Sequence, residues 1–124
     1  MSILKANIVL LLALLPLEAF GRMRHEDTGA QLLKDCTHIS ADQPLESKWQ
    51  VPPAVHCLGL IEGIVAMNAS FGPKLQKFCP PEDITSKDAA KVIVLKLQTI
   101  PHLQEWSYAS AAIISLRQAY PCKH

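Results

Sequence analysis

No part of the sequence carries a concentration of one charge sign. Twelve basic residues stand against eleven acidic ones, for a formal net charge of +1, and the two kinds are mixed along the chain. Proteins that hold nucleic acid or anionic lipid gather their cations into a patch, so neither is expected as a partner. No Gly-x-Ser-x-Gly elbow occurs, and no repeat or low-complexity tract is present. A nucleophilic enzyme needs a nucleophile, a base and a group that orients the base. No spacing here singles out such a set, and the chain reads as a non-enzyme.

The N-terminal apolar run, Ile8 to Leu17, is too short to cross a bilayer, which takes about 20 residues, and Glu18, Arg22 and Arg24 close it off. With Lys5 before it and Ala19 and Gly21 after it, the run has the three regions of a secretory signal in order. Residues 1–21 are therefore expected to be a signal peptide and residues 22–124 a single exported domain. No cysteine follows the run closely enough to carry a lipid anchor, so the mature chain is expected to be soluble. About 100 residues remain, enough for one core and not for two.

The order of helix signals predicts an all-α, four-helix domain. Thr28 and Gln31 have capping-box spacing and start a helix that runs to Thr37. His38 to Pro53 has no helical period and reads as a loop with a turn near Glu46. Pro53 suits the first turn of a second helix, which carries Val55, Leu58, Leu60, Ile61, Ile64, Val65 and Met67 and stops at Gly72-Pro73. Because apolar residues surround most of it, this helix is expected to be the most buried. Thr85 and Asp88 cap a third helix that ends at Ile100-Pro101. A fourth, opening near His102, places Leu103, Trp106, Ala109, Ile113, Leu116 and Tyr120 on one stripe.

Export puts the four cysteines in an oxidising compartment, where disulfides are favoured over zinc. Cys36, His38, His56 and Cys57 are the right residue types for a metal site, but Cys-x-His is not a usual zinc spacing, and no metal or other cofactor is expected. With short connections and antiparallel sequential helices, Cys36 and Cys57 share one pole and Cys79 and Cys122 the other. That selects Cys36–Cys57 and Cys79–Cys122 from the three pairings open to four cysteines.

Other residues admit two readings each. Gly59 and Gly63, one turn apart, cost helix stability and suggest close packing of a second helix, favoured within the domain and otherwise across a dimer. Glu62 between them is either a buried carboxylate in need of a partner or part of a solvated face. His56 reads as a partly buried structural histidine rather than a base. Asn68-Ala69-Ser70 matches a glycosylation sequon. Trp106 fits the stripe of the fourth helix, and Trp49 is either packing or a binding anchor.

Thr28-Gly29 to Cys36, Cys57-Leu58-Gly59-Leu60-Ile61-Glu62-Gly63, Phe78-Cys79-Pro80-Pro81, Val92 to Leu97, Pro101 and Ala119-Tyr120-Pro121-Cys122 form an ordered ensemble. It resembles the Tai-type family of type VI secretion amidase immunity proteins (Rap/Tai) over nearly the whole mature chain. The resemblance implies a periplasmic α-helical protein, often a homodimer, that binds a peptidoglycan amidase effector and occludes its cleft. It also implies a loop inserted into the enzyme, for which the connection Thr99, Ile100, Pro101, His102, Leu103, Gln104 and Glu105 is the candidate. A second class remains open: small exported helical proteins with disulfides include acid-stress chaperones, and His25, His38, His56 and His102 could serve a pH response. A third is some other non-enzymatic binding role in the periplasm.

Overall fold

The computed structural model describes residues 27–41 and 44–123. The expected signal peptide, residues 1–21, lies outside them, as do His25 and His124. Four α-helices follow in order: α1 (Gly29–Ser40), α2 (Val51–Ser70), α3 (Ser86–Thr99) and α4 (Tyr108–Ala119). A 3-10 turn, Pro101–Glu105, joins α3 to α4. Among the described residues there is no strand, only an isolated bridge between Thr28 and Ser107.

The caps explain most boundaries. Thr28 Oγ1 accepts from the Gln31 amide at 3.4 Å, but the Gln31 side chain does not reach back to complete the expected box. It donates instead to Asp35 Oδ1 at 2.8 Å, a charged acceptor one turn on. At α3 both halves of the box form: the Asp88 amide donates to Thr85 Oγ1 at 3.1 Å and the Thr85 amide to Asp88 Oδ2 at 3.2 Å. The side chain and backbone of Thr85 thus hold the Asp88 carboxyl below its ordinary 3.8. Helix α1 extends to Ser40, past the expected end at Thr37, and α2 already begins at Val51, with both prolines in its first turn.

The expected fourth helix is interrupted. Leu103 N–H donates to Ile100 O and Trp106 N–H to Leu103 O, which closes tight turns. Trp106 is then extended, and Ser107 caps α4 by accepting from the Ser110 amide at 3.3 Å. The break shifts the helical phase. Tyr108, Ala111, Ala112, Ser115 and Leu116 become the buried face of α4, whereas Trp106 is exposed and not part of a core stripe.

Helix α1 packs chiefly on α3 and also meets α2, α4 and the 3-10 turn. The core gathers Leu32 and Cys36 of α1, Cys57, Ile61 and Ile64 of α2, Ile93 and Leu97 of α3, and Leu103, Ala112 and Leu116. The most apolar helix is therefore not the most buried, contrary to expectation. Val51–Ser70 is long and apolar enough by composition to span a membrane, yet only 28% of its most apolar window is buried within the domain. One face of α2 packs against the core; the other shows Val55, Met67, Glu62, Gly59 and Gly63 to solvent. Among the described residues, a Cβ added at either glycine would meet nothing within 4 Å, so none of them supplies the internal helix packing expected at Gly59 and Gly63, and Glu62 is exposed.

The glycine with a packing role is Gly29. A Cβ there would lie 2.9 Å from Gln104 Cα and closer still to the Leu103 carbonyl, while its amide donates to Trp106 O at 2.8 Å. The start of α1 thereby clamps the backbone of the 3-10 turn. Asn68 is also committed internally: Nδ2 donates to Phe78 O at 2.8 Å, and Oδ1 accepts from the Lys77 amide at 2.8 Å. Being buried, it is a poor glycosylation acceptor despite its sequon.

Both expected disulfides are present: Cys36–Cys57, with Cα atoms 5.3 Å apart, and Cys79–Cys122, with Cα atoms 5.0 Å apart. Closing loops of these sequence separations, 21 and 43 residues, stabilises the fold by about 3 and about 4 kcal/mol in the chain-entropy account. Replacing Cys36 and Cys57 together by alanine should lower the unfolding free energy by about 3 kcal/mol, read from urea denaturation. Gly29→Ala should cost about 1–3 kcal/mol through overpacking, where an ordinary helical Gly→Ala change would stabilise.

Candidate partner-binding surface

Two features meet at the start of α4: a buried polar cluster and the exposed 3-10 connection. The cluster is centred on Asp35, which is 2% exposed. Its carboxylate receives Gln31 Nε2 at 2.8 Å, Tyr108 Oη at 2.7 Å and His56 Nδ1 at 3.0 Å. A buried carboxylate is tolerable only when its oxygens are satisfied, and donors from three helices satisfy this one. The His56 ring also stacks on Tyr108, with centroids 4.4 Å apart and an interplanar angle of 20°.

His56 is consequently held both by its edge and by its face, while its side chain remains 56% exposed. In the neutral tautomer whose Nδ1 donates to Asp35, the other nitrogen, Nε2, is the acceptor. The ring borders an open depression of about 460 Å³ shared with Asp27, Gln31, Pro52 and Pro53. A fixed imidazole backed by a carboxylate can orient a hydrogen bond from a partner. Among the described residues that line the depression there is neither a serine nor a free thiol. Among the described residues no group of three His, Cys, Asp or Glu side chains could hold a metal ion. The zinc ligand set considered for Cys36 and Cys57 is spent in the disulfide.

The candidate inserting segment divides into exposed and structural residues. Thr99, Pro101, His102 and Glu105 are exposed. Leu103 is buried, Ile100 packs against the core, and Gln104 Nε2 donates to Leu97 O at 3.0 Å. Trp106, just beyond the predicted segment, is exposed at 44%. The exposed part of the candidate segment is thus limited to four of its seven residues, and the exposed Trp106 adjoins it on the α4 side. Trp49 stands out more strongly still, 76% exposed beside Lys48, whose Nζ lies 5.1 Å from its ring centroid.

Sequence reasoning missed Asp35 and Tyr108. A usable signal existed for the first. Asp35 precedes Cys36 and His56 precedes Cys57, so a disulfide between the cysteines brings their neighbours face to face. Tyr108 carried no such mark, because its position depends on where α4 restarts after the 3-10 turn.

A protein-family model of Rap1a immunity proteins matches residues 28–122, nearly all of the described chain. The chain belongs to the Rap1a immunity family. This family protects cells from effectors of type VI secretion, and its members are typically non-catalytic. Membership makes this an immunity protein directed at a secreted effector, and the two disulfides suit an exported location. No curated protein and no solved structure matches the chain significantly.

Two consequences follow for the cluster. Asp35→Ala strands the Tyr108 hydroxyl in a buried site and should cost about 3 kcal/mol, measured by denaturant unfolding. Burial, reinforced by the hydrogen bond to Asp35 and its charge, raises the Tyr108 hydroxyl well above its ordinary 10.0. A folded-state value above the unfolded one stabilises the fold fully at pH below the unfolded value and is lost as pH rises through it toward the folded value. The wild type should accordingly lose stability progressively above about pH 10, and Tyr108→Phe should flatten that alkaline limb.

Proposed function

We propose that the protein is a periplasmic immunity protein that binds and inhibits a peptidoglycan amidase effector of type VI secretion. Membership of the Rap1a immunity family over residues 28–122 carries this reading. Export by the N-terminal signal, Met1 to Gly21, would deliver the domain to the compartment where such an amidase acts and where its disulfides form.

The inhibitory contact is placed on His102, Glu105 and Trp106, with His56 on the adjoining surface. These side chains are exposed, while Gly29, Leu103 and Gln104 hold the turn beneath them. A surface fixed before binding loses little conformational entropy when it docks, and an exposed Trp is a frequent interface anchor. The open α2 face around Gly59 and Gly63 would let a second copy approach closely, which supports the homodimer reading; Val55 and Met67 supply apolar area there.

The test is hydrolysis of peptidoglycan peptide by a type VI amidase encoded beside this chain, with oxidised protein from Arg22 onward titrated in. Stoichiometric inhibition is expected. His102→Ala combined with Trp106→Ala should weaken it by at least about tenfold, or about 1.4 kcal/mol, with an unchanged melting temperature. Gln104→Ala, by contrast, should lower the melting temperature. Absence of inhibition together with suppressed aggregation of unrelated clients below about pH 4 would replace this reading with the acid-stress chaperone.

A further inference from the structure

At the Cys79–Cys122 end of the molecule lies an open groove of about 600 Å³, within the size range of ligand sites. It runs between the connection after α2, which contributes Lys74, Leu75 and Lys77, and the C-terminal half of α4, which contributes Ile114 and Arg117. Among the described residues, its lining includes three cations and no carboxylate. Among the described residues, none of the three forms a salt bridge. In a chain whose net charge is only +1, this grouping does not follow from an excess of basic residues. A neighbouring depression shows the usual mixture, with Asp83 and Asp88 beside Lys91.

The groove is also held in shape. Cys122 lines it and is bonded to Cys79, the Cys79 amide donates to Tyr120 O at 2.8 Å, and Asn68 anchors the backbone at Lys77 and Phe78. Three like charges on a braced frame create a positive potential that favours an anion. Arg117 can engage a carboxylate through two parallel hydrogen bonds, whereas the lysines act as point charges. Leu75, 67% exposed, and Ile114 add apolar surface between the cations. Among the described residues, no aromatic side chain lines the groove to stack a nucleobase, and the apolar strip has no counterpart in a phosphate ion.

We propose that this groove is a docking site for an acidic polypeptide segment in which carboxylate side chains alternate with apolar ones. The carboxylates pair with Lys74, Lys77 and Arg117, and an apolar side chain lies against Leu75 and Ile114. The inference does not depend on the identity of the effector or on the contact assigned to the 3-10 turn.

The test uses the oxidised full mature chain and a fluorescently labelled Glu/Leu alternating hexapeptide, with binding read by anisotropy. Saturable binding is expected, weakening as salt rises from about 0.02 to about 0.15 M as counterions screen the pairs. Arg117→Glu should weaken it by more than about tenfold and Lys74→Glu combined with Lys77→Glu by a similar factor, whereas Lys91→Glu, outside the groove, should leave it unchanged. Arg117→Gln, which keeps a polar side chain, should give a smaller loss, and unchanged thermal melting of each variant shows that the fold is intact. No saturable binding, equal binding of a Lys/Leu hexapeptide, or insensitivity to the groove substitutions would overturn the proposal. Equally tight, groove-dependent binding of a short oligonucleotide or of inorganic phosphate would also overturn it, since the site would then be a general anion trap.

Discussion

The buried carboxylate of Asp35 is the constraint around which the end of the molecule that carries His56 and the start of α4 is arranged. A charge so enclosed must be fully hydrogen-bonded, and its donors come from within α1, from α2 and from α4. The adjacent Cys36–Cys57 disulfide fixes the approach of α1 to α2, so the polar cluster and the covalent staple reinforce one geometry. Tyr108 carries that geometry to the first turn of α4. The orientation of the exposed His56 ring is thus a consequence of core polarity.

The 3-10 turn gains its order from the opposite face of the same helix start. Gly29 has no side chain because the turn backbone occupies that space, and its amide holds the Trp106 carbonyl. Backbone contacts beneath His102 and Trp106 thus hold the turn in place. The apolar, poorly buried α2 and the cationic groove beside Cys79–Cys122 lie outside this arrangement. They leave the protein with additional surfaces of distinct chemistry on a small domain.

Much of the fold was legible in the residues. Capping residues, prolines and spacing located all four helices, and antiparallel connectivity selected the disulfide pairing. What failed had a common cause: local periodicity does not report tertiary context. Helix α2 reads as apolar all round, yet only one of its faces meets the domain. Trp106 has helical spacing with Ala109 and Ile113, but the turn after Pro101 breaks the phase, so Trp106 points outward. Gln31 has capping-box spacing, but its side chain is engaged as a donor by the Asp35 carboxylate one turn on rather than as an acceptor for the Thr28 amide. Family resemblance marked the connection after α3 as a candidate site, but it could not separate the exposed His102 from the structural Leu103 and Gln104. The Asp35 cluster escaped because its members lie far apart in sequence.

The central claim is that Asp35 and Tyr108 act as one unit in holding this end of the fold. A double-mutant cycle of Asp35→Asn and Tyr108→Phe, measured by urea unfolding of the oxidised protein, tests it directly. A coupling energy of at least about 1 kcal/mol is predicted, as for groups sharing a buried hydrogen bond. Strict additivity of the two changes would contradict the account, since the carboxylate and the phenol would then contribute independently.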